Sequence, residues 1–438
     1  MGSVLKLGGR RSPRFTRDEN GAVAPIIGLG FVMLILATGF AVDVGRGTLV
    51  KARLSDALDA AGLAVGAKLS GTSDYNAEAL RYVTANFKSG YAGATVDGSS
   101  VKAVVSTDKT TITLSASATV PTAFMRIVGS NVMKVSASSE IKRKTTGLEV
   151  ALVLDTTGSM SGSMTALKSA ANNLVDTLFG TDTTAENLFM SVVPFSQTVN
   201  IGTTRSSWVN FTNASKSVWK GCVMARGSGY DQTDQPPSAS SYYFNDYYYP
   251  NSGGGLYCPS AVSPPSNVKS VTKAAITAMN AAGNTHINLG AVWGWRMLSP
   301  NWRGYWGSTA WKGTTLPLAY NTDKMQKAIV LMTDGDNTMS SSIYTAYQWL
   351  SDKKLGTSNA STAVTELNTR LKTVCNSMKT NSIIVYTIAF NNPGTTTKAL
   401  LQACATSTSF YFDATNETEL AASFQRIADS LSNLRVSK

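Results

Sequence analysis

The sequence predicts an α/β protein in three stretches: an N-terminal transmembrane helix, a small α+β module, and a Rossmann-like domain whose mostly parallel sheet carries helices on both faces and long insertions. Three observations lead there. Residues 21–42 contain no charged side chain. Beyond them, apolar periodicity passes from helical spacing to alternation. From residue 148 onward, predominantly apolar strand-length runs alternate with amphipathic helical ones, the pattern of strands buried on both faces. The boundaries that follow are a basic tail at 1–20, a span at 21–42, a module at 43–145, and a domain at 146–438 with an inserted loop at about 200–266.

The charge-free run GAVAPIIGLGFVMLILATGFAV is 22 residues long. As a helix it reaches roughly 33 Å, close to the hydrocarbon thickness of a bilayer. A cleaved signal peptide has a shorter apolar core followed by an A-x-A site; this run continues directly into a helical pattern, as an uncleaved anchor does. Lys6, Arg10, Arg11, Arg14 and Arg17 precede it and Asp43 follows. The positive-inside rule therefore places the N-terminus in the cytoplasm and everything after Asp43 outside. That cluster is the one dense patch in a formal net charge of +12. The remaining charge is dispersed, so no nucleic-acid partner is expected.

Leu49, Val50, Leu54, Leu58, Ala61, Leu63, Ala64 and Ala67 extend the helix to about residue 69. Asp74 is a candidate N-cap for a second helix reaching Gly90, with Leu80, Val83 and Phe87 on one face. Strands are expected at Val101–Val105, Thr110–Thr119 and Met133–Ile141, with Lys142-Arg143-Lys144 as a linker. The module lacks a carboxylate pair, cysteine or histidine, which assigns it scaffolding.

Residues 148–155 form an apolar strand ending in Asp155-Thr156-Thr157-Gly158-Ser159. A helix follows, with Leu167, Ala170, Ala171, Leu174, Val175 and Leu178 on its inner face. A second strand, Leu188–Phe195, leads into some 70 residues rich in Ser, Gly, Tyr and Pro. This stretch carries Tyr242-Tyr243-Phe244 and Tyr247-Tyr248-Tyr249. Two readings stand side by side: a functional interface loop, or a disulfide-pinned flap over the domain's own core. A helix at 268–281 then reaches Gly283-Asn284-Thr285-His286, and the buried strand Ala328–Thr333 ends at Asp334-Gly335-Asp336. Trp293, Trp295, Trp302, Trp306 and Trp311 concentrate between the two and read as packing. Strands Ile383–Phe390 and Phe410–Asp413 and a closing helix near Glu417–Leu434 complete the order.

These pieces resemble the von Willebrand factor A domain family. Its metal-ion-dependent adhesion site combines D-x-S-x-S, a threonine from a second loop and an aspartate after a later strand. By that resemblance the ligands are Asp155, Thr157, Ser159, Thr285 and Asp334, with Thr157 in place of the commoner serine. Two carboxylates and three neutral hydroxyls are hard oxygen donors suited to Mg²⁺, Mn²⁺ or Ca²⁺. Such a set leaves the cation able to take one more anionic oxygen from a partner's Asp or Glu. The plainer reading of Asp155 and Asp334 is turn capping after strands.

The stretches NGAVAPIIGLGFVMLILATGFAVDVGRG and NTHINLGAVWGWRMLSP are similar to the TadE/TadG-like family of tight-adherence (Flp) pilus-assembly proteins. TadE-like pseudopilins are processed after a glycine with glutamate five positions on; here Ala22-Val23-Ala24-Pro25-Ile26 follows Gly21, a departure from that pattern. The resemblance implies a single-pass protein of the bacterial inner membrane, its bulk periplasmic or at the cell surface, gripping pilus or pilus-assembly components. An alternative is a regulatory or chaperone A domain serving a membrane-bound complex. Cys222, Cys258, Cys375 and Cys404 form no C-x-x-C pair, which argues against zinc. Export favours disulfides among them over free thiols.

No enzyme activity is expected. His286 is the single histidine, which leaves Ser-His and Cys-His mechanisms without a base. Neither a phosphate-binding G-x-x-x-x-G-K-[ST] loop nor G-x-S-x-G occurs. A metal-assisted hydrolase would need a general base beside the ion; Asp336 is the candidate, and its place after the strand reads as a turn.

Overall fold

The computed structural model describes residues 23–67, 74–106, 111–142, 144–145, 147–227, 229–248, 257–307 and 309–437. The basic cluster to Arg17, Gly21, Arg143 and Tyr249 lie outside them. The described residues fall into two compact units, one drawn mainly from residues before 142 and the other from Lys142 onward.

The first unit opens with α1, Val23–Ala67. Its one proline, Pro25, sits in the first turn, where the missing N–H breaks no helical bond. Among the described residues it is the one helix long and apolar enough to cross a membrane. From Ile26 to Val44 its large apolar side chains are exposed, apart from the half-buried Leu36. Further along, one face closes: Val50, Leu54, Ala57, Leu58, Ala61 and Val65 are buried, while Leu49 and Leu63 point outward. Truncating a fully buried leucine such as Leu54 costs about 2–5 kcal/mol.

Helix α2, Tyr75–Asn86, starts at Asp74, whose carboxylate accepts from the Ala77 N–H at 2.9 Å. It ends short of Gly90, and only Val83 and Phe87 of the expected face are buried. Strands β1 (Thr95–Val105), β2 (Thr111–Pro121) and β3 (Val132–Lys142) form a sheet in chain order. Gly47 lies under Met133 and Val135, and Gly62 under Leu114 and Ile141. Helix α1 therefore runs along the sheet, with the β2–β3 connection at the end nearer the apolar run.

In the second unit, β4 (Gly147–Asp155), α3 (Met164–Phe179) and β5 (Leu188–Phe195) are followed by the short strands β6 (Val199–Asn200), β7 (Cys222–Val223) and β8 (Ser263–Ser266). Then come α4 (Lys269–Thr277), α5 (Ile287–Leu298), β9 (Met325–Thr333) and α6 (Ala360–Thr380). The chain closes with β10 (Ile383–Phe390), α7 (Thr395–Cys404), β11 (Tyr411–Ala414) and α8 (Glu417–Arg435).

The strand order is β11-β10-β9-β4-β5-β6-β7, with β8 also pairing β5. From β11 to β5 all pairs are parallel; the edge beyond β5 is antiparallel. Alternate residues of β4 divide the core. Leu148, Val150, Leu152 and Leu154 cluster with residues of α3, α4 and α8, whereas Ala151 and Val153 cluster with α5, α6 and α7. Both faces are thus covered, which explains why these strands read as largely apolar runs.

The insertion folds onto its own domain. Phe244 and Tyr247 are buried, and Trp208 joins Trp293, Trp302 and Trp306 in one aromatic cluster. This favours the flap reading for those residues. The cysteines pair in sequence order: Cys222–Cys258 pins the flap and Cys375–Cys404 ties α6 to α7. Two expectations shift. Helix α4 stops at Thr277 rather than 281, because the chain must turn through Gly283, at φ +88°, to deliver the next loop. Lys144, the last residue of the expected linker, and Thr145 pair with Ser437 and Val436.

Candidate metal centre

Strands β4 and β9 are adjacent and parallel, with Leu154 opposite Met332. Asp155 ends β4 and Asp334 directly follows β9, so both carboxylates emerge at the carboxyl edge of the sheet, where open α/β sheets bind ligands. The third loop is docked against both. The Gly158 N–H donates to the Gly283 carbonyl at 2.9 Å, and the Ala282 N–H to that of Thr156 at 2.8 Å. Thr285 is clamped twice by Thr338: its N–H donates to the Thr338 hydroxyl at 3.0 Å, and its carbonyl accepts from the Thr338 N–H at 2.9 Å.

All five residues named from the sequence meet here. The Thr157 and Ser159 hydroxyls lie 3.0 Å apart, and Ser159 donates to Asp334 Oδ1 at 2.7 Å. Asp155 Oδ1 accepts from the Thr157 N–H at 2.8 Å. Thr285 faces the same spot: a Cβ placed on Gly335 would sit 3.5 Å from Thr285 Oγ1 and 3.9 Å from Ser159 Oγ. Asp155, Thr157, Thr285 and Asp334 are buried; Gly158 and Ser159 are exposed and form the open rim.

Sequence reasoning missed Thr333. Its hydroxyl donates to Asp155 Oδ2 at 2.5 Å, so each oxygen of Asp155 has a donor of its own. Such outer partners orient a ligand carboxylate. The available signal was its place immediately before Asp334.

Burial pushes the Asp155 carboxyl up to about 7, and the neighbouring charge of Asp334 adds to the shift. Burial raises Asp334 too. Neither carboxylate takes part in an ion pair among the described residues. Two buried acids with no cation from the chain are what a divalent ion would relieve, and the surrounding hydroxyls are donors that ion accepts. No group of three or more His, Cys, Asp or Glu side chains is placed to hold a metal ion among the described residues, so coordination here would depend on the hydroxyls. His286 is fully buried, its Nε2 3.0 Å from the Thr338 carbonyl, and burial pushes its pKa down to about 4. Asp336 is exposed in the turn after β9, where its Oδ1 accepts from the Gly394 N–H at 3.1 Å.

Residues 21–68 match the family model described as putative Flp pilus-assembly TadE/G-like. The N-terminal segment is TadE/G-like. The unit from Lys142 onward has a von Willebrand A-type fold, identified by its strand order and the three loops at its carboxyl edge. It is similar to the von Willebrand domain of the type V pili tip protein Mfa5 from Porphyromonas gingivalis, at 11% identity and TM-score 0.39, covering 67% of this chain and 97% of that one. Proximal thread matrix protein 1 from the mussel byssus, in a form with a zinc-occupied MIDAS motif, is similar at 13% identity and TM-score 0.34, covering 66% and 47%. The pilus adhesin SpaC from Lactobacillus rhamnosus GG is similar at 11% and 0.38, covering 76% and 33%. The chain thus spans less than half the length of the latter two. No curated protein matches it.

Proposed function

We propose that this is a membrane-anchored pilus-assembly or adhesion protein, without enzymatic activity, that grips a protein partner through a divalent cation held by Asp155, Thr157, Ser159, Thr285 and Asp334. The observation that carries this reading is the pair of buried carboxylates that the chain leaves without a cation, ringed by hydroxyls and open at Ser159. A bound Mg²⁺, Mn²⁺ or Ca²⁺ supplies a coordination position for a partner's Asp or Glu. Thr333 and the Thr157 N–H hold Asp155 in place, Ser159 holds Asp334, and Thr338 holds the Thr285 loop. The site is therefore preorganised before any partner arrives. The apolar half of α1 serves as a single-pass anchor in the bacterial inner membrane, with the basic tail cytoplasmic and the A-type unit periplasmic or at the cell surface. Two disulfides suit such an oxidising compartment.

Affinity capture from solubilised membranes, using full-length protein with Mg²⁺, with chelator, and as Asp155→Ala, tests this. The expected result is one set of pilus or assembly components retained only by wild type with Mg²⁺. Equal capture in all three samples refutes the reading.

A further inference from the structure

The connection between β2 and β3 exposes a cluster of apolar side chains: Phe124 is 36% exposed, Ile127 67%, Val128 70% and, at the start of β3, Val132 56%. Nothing in the metal-site reading uses them. Their position is fixed by α1. The Asp43 carboxylate, 1% exposed, accepts from the N–H groups of Ala123, Phe124 and Met125 at 2.9, 2.8 and 2.8 Å. The Phe124 ring lies over Gly39 so closely that a Cβ there would sit 2.4 Å from it. Gly39 is inside the charge-free run, about 4.5 Å before its end at Val42 on helical rise. The loop therefore flanks the last turn of that run.

We propose that this loop is a second membrane contact, with Phe124, Ile127, Val128 and Val132 entering the outer interfacial layer of the bilayer that α1 crosses. The inference rests on α1 being a membrane span. Three features suit a lipid occupant. Asp43 is the first charge after the run, and a bare carboxylate at that depth is costly; three amides and Arg46, 3.8 Å away, satisfy it inside the unit. The outward side at that level stays apolar, with Val42 and Val44 46% and 41% exposed. The loop also closes its own backbone bonds: Ile127 N–H to Phe124 O at 3.0 Å, Gly129 N–H to Arg126 O at 3.1 Å, and Ser130 N–H to Met125 O at 3.0 Å. Leaving water then strands few polar groups. Arg126, exposed beside Ile127, has the reach to lie along the apolar layer and hold its guanidinium at the phosphates.

The opposite end of the sheet supplies a control. Val104 is 65% exposed and pairs with Thr113, next to Leu114, which packs on Gly62. That is roughly 35 Å further along α1 than Gly39.

The test uses the full chain in vesicles of phosphatidylcholine and phosphatidylglycerol. Its native cysteines are paired, so an environment-sensitive fluorophore can be placed at Ile35→Cys, Val128→Cys or Val104→Cys. Lipids carrying a nitroxide at a shallow or at a deep acyl position, in separate preparations, are the quenchers, the deep one for the label at 35 and the shallow one for those at 128 and 104. Labels at 35 and 128 are expected to lose most of their emission, and the label at 104 to keep it. A quenched label at 35 with one at 128 as bright as that at 104 overturns loop insertion and leaves the anchor standing. An unquenched label at 35 refutes the anchor, and this inference with it. Blue-shifted but unquenched emission at 128 overturns the lipid assignment in favour of a dry contact with a second protein copy.

Discussion

Strands β4 and β9 run side by side, and buried acids sit near both ends of their shared seam. At the amino end Glu149 faces Lys327 directly across the register, and the two form an ion pair buried on both sides. The Leu318 N–H adds a hydrogen bond to Glu149 at 2.8 Å. At the carboxyl end Asp155 and Asp334 stand together with only hydroxyl and amide donors. Burial raises the pKa of Glu149, and Lys327 works against that shift; at Asp155 the neighbouring charge reinforces it. The same two strands thus show a carboxylate neutralised from within and a pair left for something outside. A counter-charge supplied by the fold offsets part of the cost of a buried acid. Where the fold withholds one, binding is the way to recover the cost.

The largest expected effect breaks the closed end. Lys327→Met leaves Glu149 buried and unpaired, which should cost about 3–5 kcal/mol in chemical denaturation. Adding Glu149→Met should return most of it. A single-variant loss below about 1 kcal/mol would erase the contrast.

At the open end, Mg²⁺ at a hundredfold excess over Kd should stabilise the wild type by about 2.7 kcal/mol. Asp155→Asn should abolish that gain in thermal melts while costing the chelated protein nothing at or above pH 7.

Acidity sharpens the comparison further. The folded pKa of Asp155, about 7, lies above its ordinary 3.8. In chelated protein its contribution to stability is therefore full below pH 3.8 and is lost as pH rises to about 7. His286, lowered from 6.5 to about 4, acts oppositely: its contribution is full above 6.5 and is lost as pH falls toward 4. The raw profile mixes the two. The wild-type minus Asp155→Asn difference should fall across that range in chelator and stay level in excess Mg²⁺; a level difference in chelator would show that Asp155 feels no penalty.

The smallest change is Thr333→Val, which removes one donor from Asp155. Calorimetry should give roughly tenfold weaker metal binding, the lower range for an outer partner. An unchanged Kd would mean Thr333 does not orient the ligand.

Much of this frame was legible before folding. Strands β4 and β9 announced themselves because burial on both faces forbids polar residues, and that same rule made Asp155 and Asp334 stand out at their ends. Thr285 was named only through the resemblance to the A-type family. Thr333 and Thr338 did not stand out, since hydroxyl residues are common and only the three-loop meeting shows which ones bond. The Glu149–Lys327 pair joins residues 178 apart in the chain, and nothing local marks either residue as the other's partner. On α1, apolar residues surround the helix, so Leu49 and Leu63 read like Val50 and Val65 until the sheet selected one side. Which cysteines join was equally a matter of neighbours: Cys375 and Cys404 meet because α6 and α7 lie together on one face.

Helix α1 shares a core with strands made later, and this sets an order of events during synthesis. Leu58 and Val65 leave the ribosome well before Ile112 and Leu114. At roughly 5–20 residues per second, their apolar flank waits a few seconds for its cover. During that interval the newborn stalk is sticky, and whatever escorts the chain must shield that flank until the strands arrive.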